Sequence, residues 1–181
     1  MGISYKPAAE GSIYVAYGSS ITPPGMANFT LSESSTSQDN PNLEPQESFS
    51  YELGSKWNFL GDSLNLTAAL FRTHNTNVLY SDDSTGNYQQ DGGQVVEGVT
   101  VGASGKISEP WAVLVNGTWL DARLDQAGDQ YDGLQMIRTP DFSASLWTTY
   151  RPVADWTIGL GWRYQSCLLY TSDAADEEDS V

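Results

Sequence analysis

The segment Ser48–Leu70, SFSYELGSKWNFLGDSLNLTAAL, restricts the fold more than any other stretch. Phe49, Tyr51, Leu53, Trp57 and Phe59 fall on one parity, broken only by Ser55. Ser48, Ser50, Glu52, Gly54, Lys56 and Asn58 occupy the other. After Gly61-Asp62, Leu64, Leu66, Ala68 and Leu70 alternate with Asn65, Thr67, Ala69 and Phe71. A period of two around a short glycine-containing break predicts a β-hairpin and excludes a helix, in which apolar positions recur every three to four residues. Each strand then has a greasy face and a wet face. What covers the greasy face, protein core or lipid, decides the class of protein.

The rest of the chain repeats this pattern. A short strand over Ile3–Pro7 turns at Ala8–Gly11 and returns over Ser12–Ile21. The stretch Thr22–Gln46 is polar and carries Pro23, Pro24, Gly25, Pro41 and Pro45, which is loop chemistry. The second strand of the opening hairpin extends toward Tyr80, and Ser81–Gly93 is a further polar loop. Strands are expected over Gln94–Ile107 and Trp111–Leu124, separated by Ser108-Glu109-Pro110. A third loop, Asp125–Arg138, leads to strands Phe142–Tyr150 and Trp156–Tyr164 around a turn at Pro152–Asp155. The expected fold is all-β, an antiparallel up-and-down meander of about eight strands whose connections alternate tight, long, tight, long.

A soluble sandwich or jelly roll also alternates apolar and polar residues, and it remains an alternative. Three features favour a strand-built membrane barrel. Short turns at one end and long loops at the other match outer-membrane barrels, in which short periplasmic turns alternate with longer extracellular loops. Aromatic residues collect beside the tight turns (Tyr5, Trp57, Phe59, Trp111, Tyr150, Trp156) and again toward the loops (Tyr17, Phe49, Tyr80, Trp119, Phe142, Tyr164). Half-wet rings suit the two membrane–water interfaces. Phe49 to Phe59 is ten steps, roughly 33 Å of strand and roughly 23 Å along the normal at a 45° tilt, close to the apolar band of about 25 Å. Finally, the apolar rows carry no Lys, Arg, Asp or Glu between the belts; Glu52 and Lys56 fall on the wet parity.

Composition narrows the function classes. Hydrophobic residues make up 39% of the chain, yet no run approaches the roughly 18 apolar residues of a membrane-spanning helix, so any crossing must use strands. The net charge of −15 opposes nucleic-acid binding, which recruits Lys and Arg to phosphate. His74 is the only histidine and Cys167 the only cysteine, so no intrachain disulfide forms and no zinc-ligand set is present. No Ser–His–Asp or Cys–His arrangement and no phosphate-binding glycine loop appears, and no enzymatic activity is expected. The N-terminus, MGISYKP, shows no export signal, so an exported protein requires an N-terminus upstream of Met1.

Several stretches, in order, resemble the distal barrel of TonB-dependent siderophore receptors, most of all the ferric-catecholate type. They are YKPAAEGSIYVAYGSSITPPG from Tyr5, NLEPQESFSYELGSKW from Asn42, LTAALFRTHNTNV from Leu66, VVEGVTVGASGKI from Val95 with PWAVLVNGTWLDARL from Pro110, and RTPDFSASLWTTY from Arg138. The resemblance covers Gly2–Gln165. It implies a transmembrane barrel of about 22 strands in the bacterial cell outer membrane, filled by an N-terminal plug and energised through TonB. It also implies outer-membrane lipid around the barrel and a ferric siderophore as transported ligand, with no cofactor. Neither plug nor TonB-binding segment lies in these residues, nor does the family's terminal strand. The expected protein is therefore a piece of an active transporter for iron–siderophore complexes; a complete small eight-stranded membrane barrel and a soluble β-sandwich binding module are the alternatives.

Residues 1–166 are expected to form the partial barrel. Alternation stops after Gln165, and CLLYTSDAADEEDSV contributes the only cysteine and five of the 23 acidic residues. Cys167–Glu177 resembles translated read-through of a transposon-end sequencing adapter, so 167–181 is expected to be non-native. Without it, 18 acidic residues face 8 basic ones, a net −10. In the long loops, Phe29, Tyr88 and Tyr131 are candidates to stack on a catechol ring, and Arg138 to meet an anionic ferric complex. Asp82, Asp83 and Asp91, like Asp125, Asp129 and Asp132, have oxygen ligands but not the spacing of an EF-hand, and no metal site is expected.

Overall fold

The computed structural model describes residues 1–26, 30–81, 88–125, 133–136 and 139–166, with the side chains of residues 80, 81, 88, 89 and 91 left aside. Eight strands follow one another: β1 (Gly2–Ala8), β2 (Gly11–Thr22), β3 (Gln46–Phe59), β4 (Leu64–Ser81), β5 (Tyr88–Ser108), β6 (Trp111–Asp125), β7 (Phe142–Val153) and β8 (Trp156–Gln165). They form one antiparallel sheet in the order β1-β2-β3-β4-β5-β6-β7-β8. Each strand pairs with its neighbour in sequence, which is the meander expected from the alternation.

The connections keep their asymmetry. Residues 9–10, 60–63, 109–110 and 154–155 make the tight turns, and 23–45, 82–87 and 126–141 the connections at the opposite end. Two loop boundaries move. The loop expected over Ser81–Gly93 shrinks because β5 starts at Tyr88, with Tyr80 paired to Gln89 and Ser81 to Tyr88. Polar side chains there hid the strand, since outside the bilayer neither face needs to be apolar. The loop expected over Asp125–Arg138 is partly structured: Leu124 N–H donates to Leu134 O (2.9 Å), Met136 N–H donates to Ala122 O (2.8 Å), and Arg123 bridges Gln135. The chain thus folds back along β6 before reaching β7.

At the β3–β4 turn, Leu60, Gly61 and Asp62 all take left-handed conformations, with φ of 55°, 62° and 67°. The turn then meets β5, where Lys106 N–H donates to Ser63 O (2.7 Å). Gly105 makes that meeting possible. Its φ is +133°, and a Cβ there would lie 2.0 Å from the Ser63 carbonyl oxygen. Gly105→Ala is expected to destabilise the β4–β5 foot by about 1–3 kcal/mol. The thermal midpoint of the full-length protein carrying these residues, compared with wild type, checks this.

Paired residues in a row share a face of the sheet. One face carries Leu53, Leu70, Val99, Trp119 and Phe142 in one row and Trp57, Leu66, Ala103, Val115, Leu146 and Trp162 in another. The other carries Ser12, Lys56, Thr67, Gly102, Asn116, Ser145 and Arg163. Among the described residues no second layer covers the greasy face. Among the described residues Ala122 is the one buried hydrophobic side chain, while Leu53, Leu70 and Trp119 are 48%, 52% and 50% exposed. A sandwich would have buried them between two sheets, so that alternative is overturned. β1 and β8 are the edges, and no pairing joins them among the described residues. That opposes a closed eight-stranded barrel.

Candidate functional site

Height above the tight turns sorts the side chains. Each strand residue climbs roughly 2.3 Å along the membrane normal, from 3.3 Å of rise tilted by about 45°. Leu64, Ser108 and Trp111 are the first strand residues beyond their turns. Arg72 is therefore ninth on β4, Asp121 eleventh on β6 and Glu97 twelfth on β5, roughly 21 to 28 Å up. These are the first charges on the greasy parity of those three strands, and they fall at the outer limit of a band about 25 Å tall. Tyr80, seventeenth on β4 and roughly 40 Å up, stands far beyond the band and is no part of the outer belt. Its place in that belt, expected from the sequence, is corrected by the length of β4.

Toward the loops the aromatic rings meet one another. Tyr17 and Tyr51 lie 5.1 Å apart between centroids; Trp119 meets Phe142 at 4.7 Å, Phe142 meets Tyr164 at 5.9 Å, and Tyr164 stacks on Trp162 at 6.0 Å. Near the turns, the Trp111 indole N–H donates to Thr148 Oγ1 (2.8 Å), so the ring satisfies its polar atom while its body stays apolar. Beyond the outer belt the charges pair. Arg123 Nε donates to both Asp121 oxygens (2.8 and 3.0 Å), Arg72 Nε stands 3.7 Å from Glu97, and His74 Nε2 stands 3.3 Å from Asp125 across the intervening strand. Hydrogen bonding to Asp121 first, then the Asp121 charge, raises the Arg123 pKa further above its ordinary value.

The wet face carries its own polar contacts. The Tyr14 hydroxyl donates to Glu52 Oε1 (2.5 Å), and Lys56 Nζ lies 5.3 Å from the Tyr14 ring centroid. Asn65 Nδ2 donates to Asn58 Oδ1 (2.8 Å), and Ser50 Oγ meets Thr73 Oγ1 at 3.0 Å. Phe71, Leu114, Leu120 and Trp147 also lie on this face, so it is mixed rather than uniformly polar. Such a surface suits hydrated protein packed inside a barrel better than lipid.

Two amide side chains splice the long 23–45 connection to the β4–β5 hairpin. Glu44 N–H donates to Gln90 Oε1 (2.7 Å), and Gln90 Nε2 donates to Glu44 O (2.6 Å) and to Asn77 O (3.5 Å). Asn77, at φ 55°, donates from Nδ2 to Pro45 O (3.0 Å). The Gln90 amide thus behaves as one more backbone unit. Gln90→Leu is expected to accelerate amide exchange around residues 43–46 by tenfold or more, with β7 and β8 unchanged, because about three hydrogen bonds are lost. Hydrogen–deuterium exchange on the full-length protein reads this directly.

The ligand candidates chosen from the sequence are not placed by the described residues. Phe29, Tyr131 and Arg138 lie outside the described residues, and Tyr88 opens β5 with its side chain outside them. Asp82, Asp83, Asp129 and Asp132 also lie outside, as does the Asp91 side chain, while Asp125 is the partner of His74. Among the described residues no three His, Cys, Asp or Glu side chains converge as a metal would require. The Gln90–Asn77 splice was missed: nothing in QQDGG distinguishes an amide that clamps from one that is solvated.

A single antiparallel sheet with an uncovered greasy face, two aromatic belts and long connections at one end defines a bacterial outer-membrane β-barrel protein. The chain belongs to the TonB-dependent receptor-like β-barrel family, whose model matches residues 1–180. It is 37% identical over 172 residues to a probable TonB-dependent siderophore receptor, PiuA, of Acinetobacter baumannii, covering 88% of this chain and 23% of that protein. It is 34% identical over 178 residues to the catecholate siderophore receptor Fiu of Escherichia coli K12, covering 96% of this chain and 23% of Fiu. The solved structure of the E. coli ferric-catecholate import receptor Fiu superposes with a TM-score of 0.80 at 32% identity, over 92% of this chain and 25% of that one. The chain thus spans about a quarter of the length of these relatives, which are named as receptors rather than enzymes.

Proposed function

We propose that these residues are eight consecutive strands of a larger TonB-dependent transporter that takes up a ferric catecholate siderophore. The observation that carries this reading is the match to the catecholate receptor Fiu in both sequence and fold, over nearly the whole chain. In that assembly the greasy face meets outer-membrane lipid, and the wet face with Tyr14, Glu52 and Lys56 lines the lumen. TonB acts through a region outside these residues. Phe29, Tyr88, Tyr131 and Arg138 remain the proposed ligand contacts, the rings stacking on catechol and the guanidinium attracting the anionic complex.

The test is iron-limited growth of a strain stripped of its own catecholate receptors and carrying the complete receptor. Growth on a ferric catecholate that disappears when TonB is deleted supports the reading. Growth independent of TonB, or no uptake by a receptor that is correctly inserted, overturns it.

Residues 1–166 alone are not proposed to transport. The unpaired edges of β1 and β8 would leave backbone groups unsatisfied in lipid, and a conducting or ligand-binding monomer made from this segment in vesicles would contradict that. Residues 167–181 are proposed to be non-native sequence, because the alternation of the sequence stops after Gln165 and Cys167–Glu177 resembles translated read-through of a sequencing adapter. Genomic DNA continuing in frame through Cys167 with barrel codons would show otherwise.

A further inference from the structure

An indole lies on the wet face against bare backbone. Trp147 of β7 pairs with Gly161 of β8, and the next wet position, Thr149, pairs with Gly159. A Cβ at Gly161 would lie 2.8 Å from Cε3 of the Trp147 ring, and one at Gly159 would lie 3.1 Å from Cζ2. The benzo ring thus fills space that side chains at both positions would take, and it rests along the wall. Trp147 is still 52% exposed.

The charges around the ring have one sign. The row through Asn65, Ser104, Leu114 and Trp147 is uncharged. The row on one side of it carries Lys56 and Arg163, and the row on the other carries Lys106. The first acid on the strands of this face is Glu52, two positions beyond Lys56 on β3, and the Tyr14 hydroxyl already donates to it. Cations therefore prevail here, in a chain whose 23 acidic residues far outnumber its 8 basic ones. Arg163 stands two residues from Gly161, roughly 7 Å along β8. It is exposed, and no hydrogen bond or ion pair engages its guanidinium among the described residues.

These features fit an anion that carries a flat apolar ring. A catecholate on ferric iron is such a group: its face stacks on an indole, and its charged oxygens accept hydrogen bonds from a guanidinium. Resting on the transporter reading above, we propose that Trp147 and Arg163 form a stacking site on the lumen wall for a catecholate ring of the ferric complex. Trp147 is seventh above the β7–β8 turn, roughly 16 Å up and inside the height of the apolar band, so the complex reaches it only after leaving the outer connections. The site acts on passage rather than on capture.

Binding and uptake of a synthetic ferric tris-catecholate labelled with radioactive iron test this, with the full-length protein in cells stripped of their own catecholate receptors. Wild type is measured first: absence of TonB-dependent uptake overturns the transporter reading and this site with it. Trp147→Leu and Arg163→Gln are each expected to slow that uptake about fivefold. Affinity on cells lacking TonB, where capture alone is read, is expected to match wild type. Trp147→Phe keeps a ring and is expected to retain about half of the rate or more. Unchanged uptake in the Leu and Gln variants overturns the site and leaves the transporter reading standing. Equal loss in Trp147→Phe and Trp147→Leu means that the indole only packs, and overturns stacking. Rates are scaled to the heat-modifiable protein in outer-membrane fractions; a loss that vanishes on scaling belongs to the fold and also overturns the site.

Discussion

Val115→Arg is expected to remove most of the correctly inserted receptor, whereas Asn116→Arg, one residue away, leaves it in place. Val115 is the fifth residue above the turn on β6, roughly 12 Å up and close to the bilayer midplane. It shares its row with Leu66, Ala103 and Leu146 on the greasy face. A basic side chain there costs about 2–4 kcal/mol, a factor of roughly 30 to 1,000 in the insertion equilibrium. Asn116 shares its row with Gly102 and Ser145 on the wet face, where a guanidinium keeps its water. The yield of heat-modifiable receptor in outer-membrane fractions measures both. Equal yields for the two variants would contradict the assignment of faces.

Gly98→Val is the second large effect. Gly98 pairs with Phe71 on β4 and Leu120 on β6, and a Cβ at this position would lie 2.2 Å from the Trp119 carbonyl oxygen and 2.9 Å from the Phe71 ring. The ring can rotate, but the carbonyl belongs to the adjacent strand and cannot move without opening the β5–β6 ladder. A loss of about 3 kcal/mol is expected. Gly18→Val, where a Cβ meets nothing within 4 Å, should stay within about 0.5 kcal/mol of wild type. Urea unfolding of the complete receptor from bilayers gives both values.

The fold was legible because lipid imposes a strict rule on one face only. Leu64, Leu66, Ala68 and Leu70 could not change parity without exposing polar atoms to hydrocarbon, so the sequence had to alternate there. Past Arg72 that pressure ends. Gln90 sits in a strand although its residue type reads as loop, the β4–β5 pairing shifts register between Asn75 and Tyr80, and β5 is six residues longer at its start than the alternation indicated. Pairing also supplied what periodicity could not: the β5 foot extends below that of β4, so a row crossing the sheet rises in the membrane. This is why Glu97 shares a row with Tyr51 and Arg72 and still stands higher than either.

Of the site, the sequence offers only an expectation. Loop chemistry assigns Phe29, Tyr88, Tyr131 and Arg138 to the longer connections, but a loop's contacts depend on how it folds over its neighbours, and no periodicity records that. The His74–Asp125 pair and the Gln90 clamp are of this kind: each joins residues on different strands or loops whose separation in sequence carries no signal.

The near-absence of buried side chains has a consequence for biogenesis. A soluble domain collapses because water drives its apolar groups together, and the product is the same wherever it forms. Here collapse would gain little, since a single sheet with Ala122 as its one buried hydrophobic residue among those described has no interior to collapse into. Acquiring shape and arriving at the destination must then be a single event, completed only when hydrocarbon receives the greasy face. Before that moment the greasy face has no cover and the edge strands β1 and β8 have no partner among the described residues, so the sheet has nowhere to hide either.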